Sequence, residues 1–431
     1  VIDTQAIRGA VAERRGRILE WTSTLIGFAS ENRPPAGAEG PLQEFLAGEL
    51  RRDGWRVDQF APDEVPGIRS HRYWLEGREY SGNRRNVVAT WAAGEAKGGR
   101  GRSLLFSGHA DVAPFEPDNW QVCRPFEPVV RDGRLYGRGA ADLKGGLAAA
   151  FWALKILKEL GFQPAGDLLF ESVVDEEFAG GNGTLAARLK GYNADLAVVT
   201  EPTRMQVCPA CLGAFLGDLT LKGRAGMPYM GAEIPNPLYG AARALALFRE
   251  WQGSWRERNR HPLFREPGKE LNVLPWAIDS KTPGEFAQMG TPLLARTSWI
   301  VWCYPGMSEE EFYRGFRAFW SEKAASDPEL APFELELTPA YHFVRPWETP
   351  VGHPAVQEVA QAFRRFTGEE PVIGGAPFSC DLGLYGDPGG MPCLLLGPRG
   401  DNLHAPDEWV LLEDIYALTG VFAELAAGWC G

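Results

Sequence analysis

The chain has 431 residues, 45% of them hydrophobic and 23% charged, with a formal net charge of −12. That length predicts two domains, and the acidic balance argues against non-specific nucleic-acid binding and against docking on an anionic membrane surface. No apolar run reaches the ~20 residues that span a bilayer, and the polar opening "VIDTQAIRGAVAERRGR" is not a signal peptide, so a cytoplasmic protein is expected.

Apolar residues at helical spacing predict helices over 4–29 and 41–55. Short β-like runs follow at "RNVVATW" (85–91), "SLLFSG" (103–108), "DLLFESVV" (167–174) and "DLAVVT" (195–200). The last three are nearly continuous apolar runs, as in strands buried on both faces of a mixed or parallel sheet. Helical patterns such as 145–161 alternate with them, which indicates an α/β layer architecture. The character changes near Gly213. Strand-like "AFLGDLTLKGRAG", a long helix over 236–259, a strand over 296–305, a helix over 308–325 with Ser308 as N-cap and a strand over 333–339 suggest a small α+β insert. The α/β pattern then resumes. The expected division is 1–212 and 341–431 for one catalytic domain and 213–340 for the insert. The seven cysteines are scattered and odd in number, so a disulfide framework is not expected. Cys208 and Cys211 form a lone CxxC, more ordinary as buried thiols than as a zinc or redox site.

The apolar runs of the catalytic part end in ligand-type side chains: His109 and Asp111 after the second, Asp175, Glu176 and Glu177 after the third, Glu201 after the fourth. Asp142 lies in the glycine-rich turn "YGRGAADLKGG", and His404 and Glu408 follow "LLLGPRGDN". Carboxyl ends of strands line the ligand crevice of open α/β sheets. Each residue alone has an ordinary reading: a core histidine, a helix N-cap at Asp142, a solvated strand exit, loop punctuation before Pro202. Together they would crowd unpaired carboxylates into one crevice, which is costly. Dications offset that charge. Two histidines and three carboxylates suit zinc, with cobalt or manganese next. Five side chains exceed the needs of one catalytic zinc, but they serve two metals if one carboxylate bridges. The glycine-rich turn lacks the full GxxxxGK[ST] pattern of a phosphate loop, so nucleotide binding is a minor reading.

The motifs "SGHADV", "DGRLYGRGAADLKGGLAA", "ESVVDEEFAGGNGT", "VVTEPT" and "GPRGDNLHAPDEWV" together resemble the dinuclear zinc M20-type peptidase and deacylase family. That family includes acetylornithine deacetylase, succinyl-diaminopimelate desuccinylase, aminoacylase-1 and the glutamate carboxypeptidases. The resemblance implies a zinc-exopeptidase-like mixed-sheet α/β catalytic domain with an inserted, ferredoxin-like α+β dimerisation domain, hence a homodimer. It implies that His109 and Glu201 complete one metal site, Glu177 and His404 the other, and that Asp142 bridges them. Asp111 would orient the His109 imidazole. Glu176 would be the general base, passing a proton from water to the leaving amine. Neighbours at a strand end point in different directions, so Glu177 can face metal while Glu176 faces substrate. No partner for Asp175 is evident.

One position departs from the family pattern. A histidine that stabilises the oxyanion is expected in the insert, and "GRAGMPYMGAE" has Met227 there; a thioether donates no hydrogen bond. Either the correspondence is shifted, or His261 or His342 takes the role, or turnover is weakened; plain packing is the ordinary reading of Met227. Asn272 in "ELNVLP" and Arg399 are candidate holders of a substrate carboxylate. The insert tryptophans (251, 255, 276, 299, 302) suit packing better than an acyl pocket. The expected activity is hydrolysis of a small N-acyl amino acid or related amide, of the acetylornithine deacetylase or desuccinylase type. A dipeptidase or carboxypeptidase with the same centre is the alternative enzyme. A metal-loaded binding protein that has lost turnover is the alternative of another class.

Overall fold

The computed structural model describes residues 2–94, 101–115, 119–177, 180–227, 231, 233–281, 290–339 and 343–431. His342, one of the possible stand-ins for Met227, lies outside them. The chain divides into two compact units. One comprises Val1–Ala210, Trp347–Ala376 and Cys380–Gly431; the other comprises Cys211–Pro346 with Pro377–Ser379.

The first unit opens with α1 (Thr4–Ile26), whose buried stripe Ile7, Ala10, Val11, Ile18, Trp21, Leu25 follows the helical repeat. The helix ends three residues before the expected Ala29. Gly27 turns its N–H back to the Ser23 carbonyl, and the chain beyond runs beside Ala110–Val112, with the Val112 N–H donating to the Ser30 carbonyl at 3.0 Å. Then come α2 (Gly40–Arg52), β1 (Arg56–Phe60), β2 (Asn86–Trp91), β3 (Leu104–His109), α3 (Gly145–Glu159), β4 (Leu168–Val173), α4 (Asn182–Leu189), β5 (Ala197–Val199) and the long β6 (Val207–Lys222). Cys208 and Cys211 are buried on β6, neither in a disulfide. Three residues apart on a strand, they point to opposite faces.

The second unit continues from β6 through α5 (Pro237–Arg258), β7 (Val273–Lys281), β8 (Leu294–Cys303), α6 (Glu309–Ser326) and β9 (Glu334–Pro339). This is a βαββαβ order, and its strands pair antiparallel in the sequence β7-β8-β6-β9. Ser308 caps α6, its side chain accepting from the Glu311 N–H. Trp251 and Trp299 lie in the core of this unit with Phe215, Phe248, Phe316 and Trp320. Trp276 is exposed on β7.

The chain then returns to the first unit with α7 (Pro354–Thr367), β10 (Cys393–Leu395) and α8 (Leu412–Cys430). The sheet of this unit runs β10-β5-β3-β4-β2-β1. The four strands from β10 to β4 are parallel, and β2 and β1 add antiparallel, so the sheet is mixed. Helices α1, α3 and α8 form one apolar layer with it, with Trp21 stacked on Phe151 at 4.1 Å. The start of α3 approaches the end of β5 so closely that a Cβ on Gly146 would fall 2.2 Å from the Thr200 carbonyl oxygen; only glycine fits there. That contact brings the loop before α3 to the same end of the sheet as Glu201. No described helix is long and apolar enough to cross a membrane.

Candidate metal centre

The parallel strands β3, β4 and β5 end at one edge of the sheet, and their next residues converge there. His109 is the last residue of β3, Glu176 and Glu177 follow β4, and Glu201 follows β5. Asp142 comes from the turn before α3, and His404 from the loop after β10. The Asp142 carboxylate lies between the two imidazoles, its Oδ1 3.1 Å from His109 Nε2 and its Oδ2 3.1 Å from His404 Nε2. Glu201 closes the His109 side at 3.7 Å, and Glu177 closes the His404 side at 3.0 Å. Glu176 stands 3.9 Å from His109 Nε2. The donor atoms of His109, Asp142 and Glu201 form one group within 4.8 Å, and those of Asp142, Glu177 and His404 form a second. The two groups share only Asp142.

The electrostatics show a shortage of positive charge. Burial above all pushes the Glu201 and Glu176 carboxyls well above the usual range, and neighbouring carboxylates push the same way. Burial also raises Glu177, with the Asp142 charge adding to it. Burial works against protonation of both imidazoles, but Asp142 and the glutamates outweigh it and raise them. Asp142 is held low, despite its burial, by its hydrogen bonds to the two histidines. Imidazole and carboxylate donors in two groups sharing one carboxylate suit a pair of borderline dications.

The supports differ from expectation in one respect. The Asp111 side chain does not primarily orient His109. The ring Nδ1 lies 2.8 Å from the Asp111 backbone carbonyl oxygen, while the nearest carboxylate oxygen is 3.8 Å away. The carboxylate is occupied by backbone donors instead, accepting from the N–H of Glu176 at 3.0 Å and of Glu177 at 2.9 Å. Two consecutive N–H groups reach one carboxylate because Asp175 turns the chain with φ 63°, a conformation that Asp tolerates better than most residues. Asp175 itself points into a buried cage. Tyr80 donates its hydroxyl at 2.7 Å, and Arg84 and Arg78 approach within 3.4 and 3.6 Å. These three partners carried no motif, although three consecutive acids at a strand end implied that something cationic lay nearby.

The glycine-rich turn is filled by the chain itself. The Glu408 carboxylate accepts from the N–H groups of Gly139 (3.0 Å), Ala141 (3.0 Å) and Asp142 (3.1 Å), and from Arg138 at 2.8 Å. The donors that a phosphate would need are therefore spent on a buried carboxylate, which sets aside the nucleotide reading.

The remaining expected residues lie in other settings. Arg399 is committed to Asp414, donating Nε at 2.7 Å and Nη2 at 2.6 Å. Its fork is occupied, which weighs against its holding a substrate anion. Asn272 is exposed in the second unit and accepts from Arg256 at 3.2 Å. Met227 is 55% exposed there, directly after a backbone bridge between Gly226 and Thr291. His261 caps a short turn, its Nδ1 accepting from the Leu263 N–H at 3.3 Å, and packs on Phe264 and Tyr304.

A mixed α/β sheet with imidazoles and carboxylates at the ends of its parallel strands is the framework of a metal-dependent hydrolase. Residues 105–428 match the model of Peptidase family M20/M25/M40, and the chain belongs to that family. Its activity is amide hydrolysis. The chain is 26% identical to the N-formyl-4-amino-5-aminomethyl-2-methylpyrimidine deformylase of Bacillus subtilis (strain 168), over 99% of this chain and 97% of that one. It is 30% identical to a succinyl-diaminopimelate desuccinylase of Methylobacterium radiotolerans, over 76% of this chain and 81% of the relative. Among solved structures, the dipeptidase Dug1p of Saccharomyces cerevisiae superposes with a TM-score of 0.75 at 13% identity, covering 99% and 98% of the two chains; that likeness is one of fold.

Proposed function

We propose that the chain deacylates a small N-acyl amine, using two divalent metals, zinc first, with cobalt or manganese as substitutes. The observation that carries this is the Asp142 carboxylate, with each oxygen 3.1 Å from a different imidazole. In this reading His109 and Glu201 hold one metal, Glu177 and His404 the other, and Asp142 both. When bound, the metals supply Lewis acidity toward the scissile carbonyl and neutralise charge that develops there.

The remaining work falls to side chains. Glu176 takes the proton of the attacking water and delivers it to the leaving amine. Burial raises its carboxyl above the usual range, the direction in which a buried glutamate is tuned toward proton transfer near neutral pH. Asp111 fixes Glu176 and Glu177 by their backbone N–H groups. The substrate class follows the relatives that match most of the chain: an N-formyl or N-succinyl group on a small amine or amino acid. Met227 occupies the position from which the family's oxyanion donor is expected. The second unit is assigned the homodimer contact, supported by the exposed apolar side chains of β7.

The test is to load the purified protein with zinc or cobalt and assay N-formyl, N-acetyl and N-succinyl amines alongside dipeptides. Deacylation of the small N-acyl amines, abolished in Glu176→Gln without loss of metal, is the expected result. Faster turnover of dipeptides would replace the deacylase reading with a peptidase, and no hydrolysis at full metal occupancy would end both.

A further inference from the structure

Asn32 lies in "ASENRPPAG", a stretch to which no motif assigns a role, and its side chain is fully buried. Its backbone is fixed beside the strand end that carries His109. The Asn32 N–H donates to the Val112 carbonyl at 3.0 Å, Glu31 bridges Val112, and Asn32 pairs with Gly37 in a two-residue ribbon. The side-chain Nδ2 faces three acceptors: Asp111 Oδ2 at 2.8 Å, Asp175 Oδ1 at 3.2 Å and the Glu177 carbonyl at 3.4 Å. Surrounded by acceptors, that end of the amide must be the nitrogen. A neutral donor placed there links two buried carboxylates without adding charge to a region already rich in it.

The link has a direction. Asp111 Oδ2, the atom that Asn32 holds, also receives the N–H groups of Glu176 and Glu177. Asp175 and the Glu177 carbonyl, the other two acceptors, bracket the same two residues in sequence. Asn32 therefore ties the carboxylate that collects the turn to the turn itself. If Asp111 rotates away, both glutamates lose their backbone anchor together. Well-placed outer partners of this kind are worth ~10–100-fold in metal affinity or activity.

We propose that Asn32 is a positioning residue for hydrolysis: by clamping Asp111 against the Asp175–Glu177 turn, it holds Glu176 and Glu177 in register with His109. This rests on the reading of Glu176 as the proton carrier and of Glu177 as a ligand. A role as mere polar filling would give a different signature. Gln43 supplies the comparison. It is equally buried and donates to the Ser172 carbonyl at 2.8 Å, but among the described residues its side chain makes no hydrogen bond to Asp111 or the glutamates.

The experiment compares Asn32→Ala, the isosteric Asn32→Asp and Gln43→Ala. It measures kcat and KM of the zinc-loaded proteins, the visible spectrum of the cobalt-loaded proteins, and melting temperature. Asn32→Ala is expected to lose ~10–100-fold in kcat with KM within about threefold, and to show an altered cobalt spectrum. Asn32→Asp, which sets a third carboxylate against Asp111 and Asp175, should lose more. Gln43→Ala should melt earlier while keeping the native kcat and spectrum. Asn32→Ser, retaining one donor, should recover part of kcat, and with Asn32→Asp it carries the comparison if the alanine variant does not fold. Native kcat and native spectrum in the Asn32 variants would overturn the proposal, as would an equal loss of kcat in Gln43→Ala. If the native protein hydrolyses nothing, the proposed function fails, while the cobalt spectra still decide whether Asn32 shapes the centre.

Discussion

Glu408 and Asp142 are joined through the backbone: the Asp142 N–H donates to Glu408 Oε1 at 3.1 Å, so the carboxylate shared by the two ligand groups is placed by a second, buried carboxylate 266 residues further along. Removing Glu408 would leave three N–H groups and the Arg138 guanidinium buried without their acceptor. Glu408→Ala is expected to cost about 3–5 kcal/mol, the range for breaking a buried ion pair from one side, and to lower metal content. Urea denaturation and elemental analysis check both. Full metal content in a destabilised variant would mean that the loop keeps its shape without Glu408.

Arg84 is fully buried between two acids. It forms a two-pronged pair with Glu39, at 2.7 and 2.8 Å, and reaches Asp175 at 3.4 Å. Arg84→Ala would strand the Glu39 carboxylate in a dry site and take one of two guanidinium groups from Asp175, and a loss of about 3–5 kcal/mol is expected. Arg84→Lys should recover little of it, because an ammonium cannot reproduce the fork. A lysine variant as stable as the native protein would show that charge alone, without bidentate geometry, holds this cage.

These two sites show what could be read from the residues and what could not. Strands β3, β4 and β5 announce themselves because both faces are buried and the apolar runs are continuous. The ligand-type side chains at their ends are legible for the same reason: a parallel sheet sends strand ends to one edge. Tyr80, Arg84 and Asn32 come from irregular segments with no period, and nothing in their spacing reports where those segments fold back. Glu408 was visible as a carboxylate, but its partners are backbone N–H groups, which every residue but proline carries and no motif marks. Strands of two or three residues, such as Gly400–Asp401 and Trp409–Leu411, are too short to leave a pattern. Met227 could be singled out only against the family pattern, since an exposed methionine by itself means little.

The metal-free centre should depend on pH with a defined sign. Burial, then the Asp142 charge, raises Glu201 well above its usual 4.5, and the carboxylate partners raise His404 above its usual 6.5 against the effect of burial. Both shifts mean that the folded chain binds more protons than the unfolded one. For each group the stabilisation is complete below its unfolded value and is lost as pH rises through the folded value. The chelator-treated protein should therefore melt progressively earlier as pH increases from about 4.5. Metals replace those protons, so saturating zinc should raise the melting temperature most at high pH. Parallel melting curves with and without chelator across pH 5–9 would sink this.

On β7 the side chains of Leu274, Trp276 and Ile278 are 50%, 46% and 42% exposed. Among the described residues the strand ends the β7-β8-β6-β9 order of its unit, so its outer backbone groups lie beside an apolar row, the combination that favours pairing with another chain. A homodimer through this unit predicts that Leu274→Lys with Trp276→Lys converts the protein to monomer, without a change in melting temperature larger than the loss of the dimer explains. Sedimentation velocity at micromolar concentration reads it directly. A native protein that sediments as monomer removes the dimer.

Met227 carries the last expectation. Its side chain is 55% exposed, so replacing it should change stability by no more than about 0.5 kcal/mol. A thioether offers no hydrogen to an oxyanion, whereas imidazole and carboxamide do. One such donor is worth ~10²–10³ in turnover. Met227→His is therefore expected to raise kcat toward that range, with Met227→Gln giving a smaller gain and KM moving little in either, because the interaction forms mainly in the transition state. The gain should appear with N-acyl substrates of different acyl size alike, since the oxyanion is common to all of them. If both variants fold, hold metal and keep the native kcat, the position has no part in the reaction, and Met227 is a surface residue whose departure from the family pattern carries no catalytic consequence.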